Sequence, residues 1–399
     1  MSLSDFSGLD AWPGQAAARA RMDAVQPEAY ARTRNHLEGA VTRLSPYITH
    51  GVLTLREVLT HLLADESLDI QHKLVYEFGW REFFRHAWSH HGQGIAQSLH
   101  AGPLPDEAYA PELPADIREG RTGVPVIDMA VRTLYATGTL HNHARMWLAS
   151  YVVHLRRVHW RAGADWMVAH LFDGDLGSNH LSWQWVAGTG SSKPYLFNAD
   201  NVARFAPPIW HSPGSVLDRS YDDLDQIARG ARQAFAAPHQ VIGELVVEPA
   251  LHAEPLADIG LDAMEDIAQL VQGREVWLVH PWALRGVDVP STALVLGVYL
   301  HEHHARWPWP ERRWRWVDAS MREVASHCVF ADQQSLHQAL AGAAQVRSVD
   351  DPHITPWLET FVELDAAPAL FPKVDRPCSS FSQWWTRATR GLKQAQELL

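Results

Sequence analysis

The chain has 399 residues, 46% hydrophobic and 20% charged, a globular balance that excludes a wholly disordered protein. Its 34 Lys and Arg against 46 Asp and Glu give a net charge of -12, so the total does not describe a strongly basic nucleic-acid binder. Two cysteines, Cys328 and Cys378, exclude a disulfide framework, a four-Cys zinc site and an all-Cys iron–sulfur cluster within the chain.

The 18 Trp residues ask for a use of large flat rings, as packing mass, as stacking platforms or as stations for electrons. The charge is uneven: residues 1–238 carry 21 basic and 25 acidic groups, residues 239–399 carry 13 and 21. A local basic groove therefore remains open in the first part. No apolar run reaches membrane-spanning length, and Met1 to Pro13 lacks the pattern of a signal peptide. The expectation is a cytoplasmic protein with no membrane partner.

Residues 1–205 read mostly as helices. His72 to Trp88 has apolar residues at helical spacing, and so does Val124 to Arg156, with a break near Gly138. Residues 206–270 read as a connector with short helices, rich in proline (Pro207, Pro208, Pro213, Pro238, Pro249, Pro255) and holding the acidic run Asp222 to Asp225. Beyond residue 270, Glu275–His280 and Thr292–Leu300 are continuous β-rich apolar runs, the pattern of buried parallel strands. Cys328–Ala331 and Gln345–Val349 read as further strands, and Met321–Ser326, Leu336–Ala343 and Pro356–Glu363 as helices. The fold class is mainly α with α/β: a helical domain at 1–205, a connector at 206–270 and a smaller α/β domain at 271–399.

Three stretches are set aside. His301 to His304 reads as a solvated loop rather than a metal site. Trp307, Trp309, Trp314 and Trp316 read as strand-edge packing. Gly188 to Lys193 lacks the spacing of a phosphate-binding loop.

The chemistry concentrates in Phe172 to Tyr195. Asp173-Gly174-Asp175 precedes a helix, where carboxylates serve as caps. From Asp175, helical spacing puts Asn179 and Trp183 on one face, while Trp185 points elsewhere. A second helix offers Glu77, Trp80 and Arg81, a ligand wall or a plain surface ion pair. A third offers Asn142, Arg145 and Met146.

Together these segments resemble the flavin-binding helical domain of the DNA photolyase/cryptochrome family. The resemblance is carried in order by TRLSPY (42–47), EFGWREF (77–83), TGVPVID (122–128), LHNHARM (140–146) and Asp173 to Trp185. It implies FAD held in a helical cluster, with Tyr30, Thr42, Arg43, Leu44, Ser45, Arg81, Asn142, Arg145, Asp173, Asp175 and Asn179 as its contacts. It implies Thr42 to Ser45 at the phosphates, Arg145 paired with Asp173, and Asn179 facing the flavin N5.

The same resemblance implies light-driven repair of cyclobutane pyrimidine dimers in DNA, single- or double-stranded, by a lyase acting as a monomer. Glu77 would stabilise the dimer radical, and Trp80, Asn142, Met146 and Trp185 would hold the flipped dimer. Trp183 and Trp160 would feed electrons; the third ring of that chain falls where Tyr109 is the sole aromatic, so the path stops at two Trp, ends at Tyr109 or uses another ring such as Trp147 or Trp88. The rival is a cryptochrome-like blue-light photoreceptor signalling to a protein partner. No metal and no iron–sulfur cluster are expected, and no antenna chromophore is assigned. The family places an α/β antenna domain ahead of the flavin domain; here the flavin motifs come first, so residues 271–399 read as that domain in permuted order, or as an unrelated α/β partner.

Overall fold

The computed structural model describes residues 12–64, 67–230, 246–285 and 289–399. Pro238 and most of the N-terminal stretch read above lie outside them.

The helical half holds the site on five helices. α1 spans Lys73–His91, with His72 as its cap: Nδ1 accepts from the Leu74 amide at 3.3 Å. α2, Pro125–Thr137, ends at Gly138, whose φ of 66° is the left-handed turn that favours glycine, and this is the break visible in the sequence. α3, Asn142–Ser150, runs into a wider turn at Tyr151–Leu155. α4 is Trp160–His170 and α5 is Leu176–Ala187, ended by a left-handed Gly188. Buried Val126, Ala130, Leu134, Trp147, Leu148, Val152 and Met167 form the core between them.

The second half is a five-stranded, all-parallel sheet: β1 Glu275–Val279, β2 Leu294–Leu300, β3 His327–Ala331, β4 Gln345–Val349 and β5 Glu363–Asp365. The strand order is β3-β2-β1-β4-β5. Val276 pairs with Leu294 on one side and Val346 on the other, so β1 is central and its apolar run is buried on both faces. Order reverses between β1 and β4. In doubly wound sheets that reversal opens a crevice at the carboxyl ends of the strands. Helical residues precede the sheet in the chain, the reverse of the order the resemblance implies.

Three readings need correction. The helix expected at Met321–Ser326 lies earlier: α6 spans Glu311–Met321 and buries Arg313, Trp314 and Trp316, so these rings are helix core, not strand edge. His301–Arg306 is a helix with His303 and His304 buried, not a solvated loop, because it follows β2 into the crevice. The run at Pro356–Glu363 shortens to a helix at Thr355–Leu358, and Glu363 opens β5. An additional helix, α7 (Phe381–Ala388), packs against α1.

Among the described residues no helix is long and apolar enough to cross a membrane, and no group of three or more His, Cys, Asp or Glu is placed to hold a metal ion.

Candidate functional site: an acidic loop between two domains

α1 supplies one wall. Glu77 and Arg81 stand one turn apart but do not pair with each other. Glu77 faces Arg34 at 3.6 Å, and Arg81 donates to the Thr49 hydroxyl at 2.9 Å. Burial raises the Glu77 pKa above the ordinary carboxylate value, against the pull of Arg34. Tyr30 lies in the same cluster, and burial with the Glu77 charge holds its phenol above the usual range. Arg81 is half-buried. Burial disfavours its charge, and Asp175 and Asp173 oppose that.

The acidic loop forms the floor. One Arg145 nitrogen donates to both oxygens of Asp173, at 2.8 and 2.9 Å. Asp175 caps α5 by accepting from the Ser178 amide at 2.7 Å. Burial works against the Asp175 charge, but His353, Arg85 and the Ser178 amide outweigh it and hold its pKa below the usual range. Arg81, Arg145, Asp173 and Asp175 are thus one electrostatic unit. Thr42 to Ser45 sits at a special turn: Arg43 has φ of 54°, rare for a side chain with a Cβ, the Leu44 amide donates to Thr42 Oγ1 at 3.3 Å, and Ser45 opens a short helix to Thr49.

α5 and α4 hold the rings. Asn179 Nδ2 donates to the Ala164 carbonyl at 2.9 Å, leaving Oδ1 as its acceptor. Trp183 and Trp160 are each 2% exposed. Trp183 lies so close to α4 that a Cβ on Gly163 would come within 2.3 Å of the indole. Trp160 donates to Ser98 Oγ at 3.0 Å. Tyr109 reaches it through His159: ring centroids are 6.3 Å apart for Tyr109 and His159, and 5.7 Å for His159 and Trp160. Of the other two rings considered, Trp147 is stacked on Phe197 and Trp88 meets His353 edge-on at 4.7 Å.

The residues read as a substrate wall divide. Asn142 and Met146 meet one turn apart, Nδ2 to Sδ 3.7 Å. Trp185 is 37% exposed, beside Tyr195. Trp80 is covered on one face by Phe381 of α7, with centroids 4.0 Å apart and planes 8° from parallel.

Sequence reasoning missed Arg34, Thr49, Glu82, Arg85, Arg313, Asp351 and His353. Arg85 was within reach, one turn beyond Arg81. Asp351 and His353 follow a strand end, which becomes informative only once the sheet order is known.

The donor set suits FAD. Guanidinium groups, a hydroxyl and an ionised carboxylate stand within electrostatic reach of one another, matching a cofactor with phosphates and a ring edge rich in amide groups.

Comparison with known proteins points the same way. The family described as FAD binding domain of DNA photolyase matches residues 74–209. The deoxyribodipyrimidine photo-lyase of Escherichia coli is 36% identical over 197 residues, 44% of this chain and 42% of that protein. That of Salmonella typhimurium is 31% identical over 243 residues, 58% and 47%. Cryptochrome DASH of Idiomarina loihiensis is 32% identical over 169 residues, 41% and 38%. A crystal structure of a Synechocystis cryptochrome aligns with a TM-score of 0.45 at 27% identity, over 51% of this chain and 46% of that one. The chain spans about half the length of the curated relatives it matches. Tyr30 and Thr42 to Ser45 precede the matched residues. Residues 74–209 thus match the FAD binding domain of DNA photolyase, and most of the site described above is built on them.

Proposed function

We propose that the protein is a light-driven DNA repair enzyme that splits cyclobutane pyrimidine dimers, with FAD held against the Asp173–Asp175 loop. The observation that carries this reading is the joining of Arg81, Arg145, Asp173 and Asp175 into one charged unit at the start of α5. Reduced FAD, when bound, supplies a photoexcited electron to the dimer.

The chain's own residues do the rest. Glu77, pushed by burial toward its proton-bearing form, donates a hydrogen bond to a pyrimidine carbonyl where negative charge develops. Asn179 presents an amide oxygen, with no ionisable proton, to the flavin edge. Trp160 and Trp183 lie dry between α4 and α5, as a path for electrons into the site requires. Asn142, Met146 and Trp185 would hold the flipped dimer. Damaged DNA is then the partner, and the relatives named photo-lyases support that choice.

A second reading has its own observation. Phe381 occupies one face of Trp80, the ring that would hold the dimer, and this favours a cryptochrome-like photoreceptor whose lesion site is closed. One experiment separates them. The purified protein is reduced, mixed with an oligonucleotide bearing one thymine dimer, and exposed to blue light. Repair that drops at least tenfold in Glu77→Ala, with FAD retained, supports the enzyme. Flavin photoreduction without repair, even in single-stranded DNA, overturns it in favour of the photoreceptor.

A further inference from the structure

The flavin-facing loop does not stand on the helical domain alone. Phe172 to Leu176 is gripped by residues from the carboxyl edge of the sheet and from α6. Arg313 of α6, fully buried, donates to the Gly174 carbonyl at 2.8 Å and to the Val168 carbonyl at 2.9 Å. Among the described residues no carboxylate lies in hydrogen-bond contact with Arg313. Burial lowers its pKa to about 9 against the pull of Asp173 and Asp175, and the face of Trp309 lies 4.3 Å from the guanidinium carbon.

On the other side, β4 leads into Asp351 and His353. Asp351 accepts from Arg85 at 2.7 Å, and the same guanidinium reaches Asp175 at 3.8 Å. The His353 ring is fixed at both nitrogens. The Leu176 amide meets Nε2 at 3.2 Å, and Nδ1 lies 2.6 Å from Asp351 Oδ1. The ring is held flat by Trp282 from the end of β1, stacked at 4.2 Å and 5°. Both residues lie at the strand-order reversal, where an α/β sheet usually receives a ligand. Here the reversal receives the first turn of α5.

We propose that Arg313, Asp351 and His353 are positioning residues for the Asp173–Leu176 loop, so that the FAD site is assembled across both domains rather than within the helical one. The proposal rests on the flavin reading above. None of the three residues touches the reacting atoms. They act through the aim of Asp175 and the fixed backbone of Gly174 and Leu176.

The test uses the full chain with Asp351→Asn, His353→Ala and His353→Gln. Gln can still accept from the Leu176 amide. Two readouts are taken: amide hydrogen exchange of residues 174–178 in the FAD-free protein, and FAD affinity with the band structure of the bound flavin. Asp351→Asn and His353→Ala should speed exchange at Leu176 and Ser178 and weaken FAD binding by about tenfold or more, as lost outer-shell partners do. His353→Gln should recover most of both. Unchanged exchange in His353→Ala overturns the clamp. Faster exchange with unaltered FAD affinity and spectrum overturns its role in the flavin site. If Asp351→Asn fails to fold, the Ala and Gln variants at 353 decide alone. Failure of the wild-type chain to take up FAD overturns the flavin reading and the proposal with it, and the exchange data still report whether the loop is clamped.

Discussion

Phe381→Ala probes the contact on which the two functional readings disagree. Phe381 is 3% exposed and touches Trp80 face to face, Tyr76 edge-on at 4.7 Å and Phe83 edge-on at 5.8 Å. Truncating a buried Phe costs about 3–5 kcal/mol, because the cavity left behind closes only in part. The stacked pair with Trp80 accounts for roughly 0.5–1.5 kcal/mol of that. The loss should appear in urea unfolding as a lower midpoint with the slope little changed. A loss below about 1 kcal/mol would refute the docking of α7 on α1, since that is the scale of an ordinary surface substitution or less.

The functional arm follows from the same geometry. If Trp80 must be uncovered before a dimer can stack on it, the cover competes with substrate, and Phe381→Ala should tighten binding of dimer-containing DNA. Fluorescence anisotropy with a labelled oligonucleotide reads this directly, at a temperature well below the lowered midpoint. Equal binding by the wild-type and variant chains would show that the Phe381 face of Trp80 is not where the lesion goes.

Other expectations are independent of that contact. Gly163→Ala should destabilise the chain by about 1–3 kcal/mol, as overpacking does, and should shift the fluorescence of Trp183, whose indole lies 2.3 Å from the added carbon; a neutral effect on both would mean that α4 and α5 are less closely apposed. Glu82 accepts the Leu370 and Phe371 amides at the approach to α7, and burial raises its pKa to about 7 despite those bonds and Arg85. The unfolded chain loses this proton near pH 4.5 and the folded chain only near 7, so the contribution of Glu82 to stability is fully present below pH 4.5 and is lost as pH rises through 7. Glu82→Gln should flatten that part of the stability profile, and an unaltered slope between pH 5 and 8 would remove Glu82 as its source. Tyr109→Phe should slow photoreduction of bound flavin if electrons reach Trp160 through Tyr109 and His159, and a wild-type rate would exclude that route.

The sheet was legible in the sequence for a physical reason. A parallel strand buried on both faces must be apolar throughout, and Val276 to Val279 and Leu294 to Leu300 are. The break at Gly138 was legible because a left-handed residue favours glycine. α6 was not legible. Its buried face includes Arg313, and a guanidinium in the core violates the amphipathic pattern on which helix reading depends. His303 and His304 were misread for a related cause: a charged-looking run gives no sign that the end of β2 carries it inside. The sequence grouped Arg145, Asp173 and Asp175, and the structure joins them. It placed Glu77 beside Arg81, yet Glu77 turns to Arg34, more than forty residues earlier, a contact that no local spacing encodes.

That difference bears on how the site is built. Local patterns reveal the residues that cap α5 and line α1, because caps and helical faces are written within a few positions. They are silent on what holds the cap in place. Asp175 is buried, and a buried carboxylate remains ionised only where cations and amides surround it. Ser178 lies on its own helix and Arg85 on α1, but His353 and Arg313, with the Asp351 that holds Arg85, come from beyond residue 310. A helical domain carrying these flavin motifs without the sheet would leave Arg85 without Asp351, and the Leu176 amide without its acceptor. The aim of Asp175 and the first turn of α5 would then rest on fewer partners. Because these contacts are made at the strand ends and not at the linker, the site depends on its α/β neighbour through tertiary packing rather than through chain order.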